Sequence, residues 1–140
     1  MPSFIIPFVA FAVVLAHALI DRRTTIVKQK PVRHLRGAFY YCLVWIVLFF
    51  VFFFISGKSF VSTAVPVVLF AFLTRVSFFD PLYNFSIGKG ILFEGTVKKK
   101  RDTSIIDTIE KSIGWPVWVY RIIYFAVYFI YLGIYIYQYK

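Results

Sequence analysis

Four long apolar segments, separated by polar or basic stretches, dominate the 140-residue chain. A helix that crosses ~30 Å of hydrocarbon at ~1.5 Å per residue needs about 20 residues. The segments that meet this requirement lie at about 4–20, 38–55, 60–79 and 117–137. We therefore predict an all-α membrane protein, a single domain over residues 1–140 with four transmembrane helices. The first segment is interpreted as a helix rather than a signal peptide, because no Lys or Arg precedes Asp21.

The composition supports the membrane class and argues against a soluble enzyme. Apolar residues make up 61% of the chain and charged residues 16%, whereas soluble domains have about 45–50% and about 25%. The net charge of +10 could suggest nucleic-acid binding. However, the basic residues lie between the apolar segments, as in the loops of membrane proteins, so no nucleic-acid partner is predicted.

The distribution of Lys and Arg predicts the orientation of the chain. The loops 21–37 and 80–116 carry many basic residues, while the short turn around 56–59 has only Lys58. Because basic loops stay on the cytoplasmic side, both termini are expected on the non-cytoplasmic side. The expected location is the cytoplasmic (inner) membrane of a bacterium.

The third loop is predicted to contain a short amphipathic helix at the membrane interface. It would run from about Ser104 to Ile113 and end at Gly114, with an apolar stripe that includes Ile109. A basic cluster precedes it and two tryptophans follow it, so lipid contact is predicted for both groups. The residues concerned are Lys98, Lys99, Lys100, Arg101, Trp115 and Trp118. Alternatively, the apolar stripe packs onto the ends of the spans.

Five ionisable residues lie in or near the spans, where charges are costly. They are His17, Asp21, Arg75, Asp80 and Arg121, and the predicted topology brings all of them toward the cytoplasmic leaflet. We interpret them as an intramembrane charge belt in which carboxylates neutralise arginines. Arg75 would find a partner on another helix, such as Asp21, or reach the headgroups. A proton-handling or metal-binding His17–Asp21 pair is the alternative, but so few ligands predict no metal site.

The end of the third span carries a distinctive local pattern, Phe79-Asp80-Pro81-Leu82-Tyr83-Asn84. Asp before Pro predicts an N-cap and the start of a new helical turn or tight bend. Together with Gly88-Lys89, Phe93-Glu94-Gly95-Thr96 and Asp107, this stretch resembles small uncharacterised multi-pass membrane proteins of bacteria and their phages. The resemblance implies a bacterial or phage origin. It carries no information about activity.

The fourth span has tyrosines at helical spacing on one face. Tyr120, Tyr124, Tyr128, Tyr131, Tyr135 and Tyr139 fall within an arc of about 100° at 100° per residue. Mid-bilayer hydroxyls should avoid lipid tails, so this face is expected to contact protein, a polar group or water. Ala126 and Gly133 form a small-residue patch on the far side. The alternatives are a partner or second copy, a tyrosine-lined cavity for a lipid or hydrophobic ligand, and packing within the chain.

No catalytic motif is present, and the single cysteine, Cys42, excludes an intrachain disulfide. The leading hypothesis is a non-enzymatic oligomeric or accessory subunit that stabilises a membrane complex, with lipids and other subunits or copies of itself as partners. A small channel or holin-like pore formed by homo-oligomerisation is the second hypothesis. The uniformly apolar second span argues against a pore lined by all four helices. A membrane enzyme that uses His17, Asp21 and Asp80 is the third.

Overall fold

The computed structural model describes residues 4–24, 34–88, 109–110 and 112–138. Within these ranges the chain is helical apart from turns and has no strand. The main helices are α1 (Ile5–Arg22), α2 (His34–Ser56), α3 (Phe60–Ser86) and α4 (Val117–Gln138). Each is long and apolar enough to cross a membrane, which confirms the prediction of four apolar helices. The basic cluster at 98–101 and most of the predicted amphipathic helix lie outside the described residues.

Helix α3 is the centre of the bundle, and α1, α2 and α4 all pack against it. It is also the most buried helix, whereas α2 is the least buried. Small polar side chains on α3 let the neighbouring backbones approach closely, and Thr74 and Ser77 are fully buried. The Ser77 hydroxyl donates to the Tyr124 carbonyl of α4 at 3.0 Å. The Tyr41 hydroxyl of α2 donates to the Ala71 carbonyl of α3 at 2.7 Å.

A tight turn joins α2 to α3 because its residues satisfy the free backbone groups at the start of α3. Gly57 adopts φ 63°, a conformation that side chains disfavour. Ser59 caps the helix by accepting a hydrogen bond from the Ser62 N–H at 3.3 Å. Ser56 and Thr63 then join the two helices through their hydroxyls at 3.3 Å. We call this side of the bundle the turn end.

The opposite side of the bundle, where α1 and α3 end and α2 and α4 begin, is called the charged end. Here α3 differs from the sequence prediction. The helix does not stop near Phe79 with a new turn at Asp80, but continues through Pro81 to Ser86. Pro81 removes one backbone hydrogen bond, yet burial of Phe79, Pro81 and Asn84 holds the last turns against the bundle.

Candidate functional site at the charged end

A half-buried ion pair links α3 to α4. The Arg121 Nη2 atom donates to the Asp80 Oδ2 atom at 2.7 Å. Its Nη1 atom also donates to the Val76 carbonyl at 3.5 Å. Arg121 is 8% exposed, while the Asp80 side chain is 42% exposed. Asp80 is therefore the water-facing partner of an arginine that lies almost entirely inside the protein.

His17 links α1 to both α2 and α3. Its ring stacks on Tyr41 of α2, with centroids 5.7 Å apart, and lies 5.0 Å from the ring of Phe79 of α3. One turn later in α1, the Asp21 Oδ2 atom is 3.7 Å from His17 Nε2. The imidazole of α1 thus stacks on a ring of α2, contacts a tilted ring of α3 and has a carboxylate of its own helix near Nε2.

Gly37 permits this arrangement because it has no side chain where α2 passes His17. A Cβ atom at Gly37 would lie 3.0 Å from His17 Nε2, closer than ordinary packing allows. Gly133 of α4 provides a contrast, since a Cβ atom there would have no heavy atom within 4 Å. The two helical glycines therefore form a matched pair for substitution.

The variant Gly37→Ala is expected to lower the free energy of unfolding by about 1 kcal/mol, because His17 is held between two rings and cannot move aside freely. The control Gly133→Ala should leave stability unchanged or raise it by up to about 1 kcal/mol, since alanine favours the helix. Unfolding in mixed detergent micelles measures both. Equal responses of the two variants would contradict the proposed crowding at His17.

Arg75 contacts an aromatic ring on its own helix. Its guanidinium carbon lies 3.3 Å from the centroid of Phe79, one helical turn further along α3. Such a contact is a cation–π interaction. The prediction from the sequence was a partner on another helix or the headgroups, and the structure shows this ring instead. The signal was present as an Arg–Phe pair at i and i+4, a spacing that places both side chains on one helix face.

The five residues of the predicted charge belt all lie at the charged end. The structure brings Asp80 to Arg121 and His17 to Asp21, and it places Arg75 on the ring that His17 also contacts. Phe79 and Tyr41, which sequence reasoning did not select, complete the cluster through their rings. Among the described residues, no group of three or more His, Cys, Asp or Glu side chains could hold a metal ion. What this geometry supports chemically is charge pairing, between helices for Asp80 and Arg121 and within α1 for His17 and Asp21.

Tyr120 attaches the chain segment before α4 to the start of that helix. Its hydroxyl donates to the Glu110 carbonyl at 2.8 Å and accepts from the Trp115 N–H at 3.1 Å. Gly114, with φ 77°, turns the chain between them, and its N–H donates to the Glu110 carbonyl at 3.0 Å. Sequence reasoning assigned Tyr120 to the tyrosine face of α4 and did not identify this local role.

The tyrosine face of α4 packs against α3. The rings of Tyr131 and Tyr135 each lie 4.9 Å from the ring of Phe70. Tyr128 lies 4.9 Å from the ring of Phe78. Tyr124 is partly buried and accepts a hydrogen bond through its carbonyl from Ser77. Tyr139 is outside the described residues.

The small-residue patch of α4 lies on the other side of the helix. Ala126 and Gly133 are exposed in the chain as a monomer. At about 100° per residue, Trp118, Ile122 and Phe129 share an arc of about 80° with them. These three side chains are 53%, 59% and 57% exposed. We call these five residues the open face of α4.

A cavity of about 20 Å³ lies at the turn end, between Ser56, Thr63 and Tyr135. A site of this size holds a molecule no larger than water. The cavity therefore does not provide the tyrosine-lined ligand site that was one alternative for α4.

Comparison with known proteins identifies no relative of this chain. No protein-family model, curated protein or solved structure matches it.

Proposed function

We propose that the chain is a non-enzymatic integral membrane subunit that forms oligomers or stabilises a larger membrane complex. In this proposal the charged end faces the cytoplasm, following the distribution of basic residues in the loops. The Asp80–Arg121 pair and the contacts of the His17 ring with Tyr41 and Phe79 hold the helices in register, while Asp21 pairs with His17 within α1. They serve the architecture of the subunit rather than a reaction.

The observation that carries the proposal is the open face of α4. Trp118, Ile122 and Phe129 are more than half exposed there. The space beside Gly133 is open, because a Cβ atom added to this residue would meet no heavy atom within 4 Å. Helices associate in lipid mainly through close packing, and small residues let two backbones approach. Ala126 and Gly133, seven positions apart, supply such an approach on one side of the helix. The open face is thus suited to a helix of a second copy or of another subunit.

The placement of polar side chains favours a packing role over a pore. Thr63, Thr74 and Ser77 of α3 are buried inside the bundle. Arg121 is also buried, and its charge is matched by Asp80. A pore formed by several copies needs polar side chains on the outer surface, where the copies would enclose water. The open face of α4 supplies apolar side chains there instead.

The double variant Ala126→Leu/Gly133→Leu is expected to abolish assembly, because two added side chains block close helix approach. The matched control is Ala12→Leu on α1, which makes the same Ala-to-Leu change at an exposed position. Native mass spectrometry from lipid particles measures the stoichiometry. The masses should show a monomer for the double variant and the wild-type assembly for the control.

Two results would overturn the proposal. The first is a native mass spectrum in which the wild-type protein is a monomer and carries no other subunit at a fixed ratio, since it would show that no assembly forms. Ion or dye flux through liposomes that contain the purified chain would instead support the small channel or holin-like pore.

A further inference from the structure

We propose that Ile109, Ile113, Trp115 and Trp118 form a lipid-binding surface that rests in the headgroup layer of the bilayer at the charged end. We call it the interfacial surface. Its partner is the membrane itself, in particular a leaflet that contains anionic lipids. Trp118 also belongs to the open face of α4, but Ile109, Ile113 and Trp115 lie outside that face, so the inference stands on them whether or not a second subunit covers Trp118.

The four side chains are exposed to a similar degree, although all are large and apolar. Their exposed fractions are 53% for Ile109, 52% for Ile113, 54% for Trp115 and 53% for Trp118. Ile109 and Ile113 are each in helical conformation and lie four positions apart, the spacing at which side chains of a helix share a face. By contrast, Tyr120 and Arg121, only a few positions further on, are almost fully buried. The large apolar side chains before α4 are thus exposed, whereas the first tyrosine and arginine inside α4 are buried.

Hydrogen bonds hold this surface in place without using its side chains. Tyr120 bonds to the backbone of Glu110 and Trp115, on either side of the turn at Gly114. The Tyr120 ring also stacks on Trp115, with centroids 6.0 Å apart. Because the backbone groups of Glu110, Gly114 and Trp115 are already hydrogen-bonded, binding to lipid costs little additional conformational entropy there.

The level of the surface along the bundle matches the boundary between hydrocarbon and water. Trp118 precedes Arg121 by three residues, a distance of about 4.5 Å along the helix axis. Arg121 pairs with Asp80, whose side chain is 42% exposed. Trp118 also stands at the head of the open face of α4, so the apolar exterior of the span continues into it. Tryptophan is enriched at this level of membranes because its ring is apolar and its N–H seeks water.

Basic side chains at the same end complement anionic headgroups. Arg22 and Arg23 are exposed at the end of α1. Basic residues close to a negatively charged leaflet are attracted to its headgroups. Insertion of the apolar interfacial surface and attraction of these arginines to anionic headgroups therefore both favour binding of the charged end to the membrane.

Tryptophan fluorescence tests the proposal directly, because the chain has only three tryptophans. The variant Trp45→Phe reports on Trp115 and Trp118 alone. It is reconstituted at high lipid-to-protein ratio into phosphatidylcholine–phosphatidylglycerol vesicles whose acyl chains carry bromine either near the headgroup or near the chain end. The double variant Trp115→Phe/Trp118→Phe is the control, since its remaining Trp45 is 6% exposed inside the bundle.

We expect the emission from Trp115 and Trp118 to be reduced more by the shallow bromines than by the deep ones. The control should lose little emission with either lipid. Strong quenching by aqueous iodide with none by brominated lipid would overturn the proposal and place the surface in water. Protection from both quenchers would also overturn it and indicate a protein contact, such as a second subunit.

A second measurement keeps the test decisive if Trp45→Phe fails to fold. In a Cys42→Ser background, the single substitution Ile113→Cys carries a nitroxide spin label and leaves all three tryptophans in place. Spin-label collisions with oxygen and with a water-soluble nickel complex report depth. Comparable access to both is expected at the headgroup level, whereas access to nickel alone would refute lipid contact.

Discussion

Replacement of Asp80 by leucine is expected to lower the free energy of unfolding by about 3 kcal/mol, because it leaves a buried guanidinium without its carboxylate. Arg121 is 8% exposed. Within the described part of the chain, its Nε atom already has no hydrogen-bond acceptor. Loss of the 2.7 Å contact with Asp80 would leave Nη1, bonded to the Val76 carbonyl, as its remaining anchor. Unfolding by sodium dodecyl sulfate in mixed micelles measures the change.

The difference in exposure makes the two halves of this pair unequal. Arg121→Met should cost less than Asp80→Leu, because the carboxylate it leaves behind is 42% exposed and keeps contact with water. The double variant Asp80→Leu/Arg121→Met should recover most of the stability, since replacing both charges by apolar groups is often neutral. Losses that simply add in the double variant would contradict a direct interaction.

Replacement of Phe70 by alanine is expected to cost about 3–5 kcal/mol, the usual range for emptying a large buried site. Phe70 is 0% exposed. Its ring contacts Tyr128, Tyr131 and Tyr135, so its removal leaves a space between α3 and this stretch of α4. The same unfolding assay measures the loss.

The control for Phe70 lies two positions further along the same helix. Phe72 is 57% exposed on the outer side of α3. Phe72→Ala makes the identical chemical change and should alter stability by no more than about 0.5 kcal/mol. Similar losses at both positions would show that the α3–α4 contact contributes little to the fold.

Hydropathy predicts the four helices of this chain well, but not where α3 ends. Length and apolar composition locate α1, α2 and α4 to within a few residues, because the bilayer requires nearly continuous apolar sequence. At Asp80 and Pro81 the local signals for a break are strong. Tertiary packing overrides them, since the last turns of α3 are buried on neighbouring helices. A sequence pattern carries no information on that burial.

The charged residues likewise show that some features follow from the sequence and others depend on tertiary packing. Their depth could be inferred from position in the spans, whereas their partners could not. Whether Asp21 or Asp80 meets Arg121 depends on which helices are neighbours, and that follows from packing around α3. The contact of Arg75 with Phe79 was accessible from helical spacing alone. The role of Gly37 was not, because it depends on how closely α2 passes His17.

For α4, periodicity indicates that the tyrosines avoid lipid but not what they contact. Tyr131 and Tyr135 meet Phe70 of α3, one of the three alternatives that the pattern left open. A helical wheel has no means of choosing between a neighbour in the same chain and one in another. The same limit applies to Ala126 and Gly133, whose proposed partner lies beyond a single chain.

The central position of α3 has a consequence for biogenesis. During synthesis α1 and α2 leave the ribosome first, yet the helix on which both of them pack is made third. Helices that have entered the bilayer separately associate in a second step. Until α3 arrives, His17 and Asp21 at the end of α1 lack Phe79, the α3 ring that His17 contacts in the finished bundle. The contacts of α1 and α2 with the centre of the bundle therefore form only after α3 has been made.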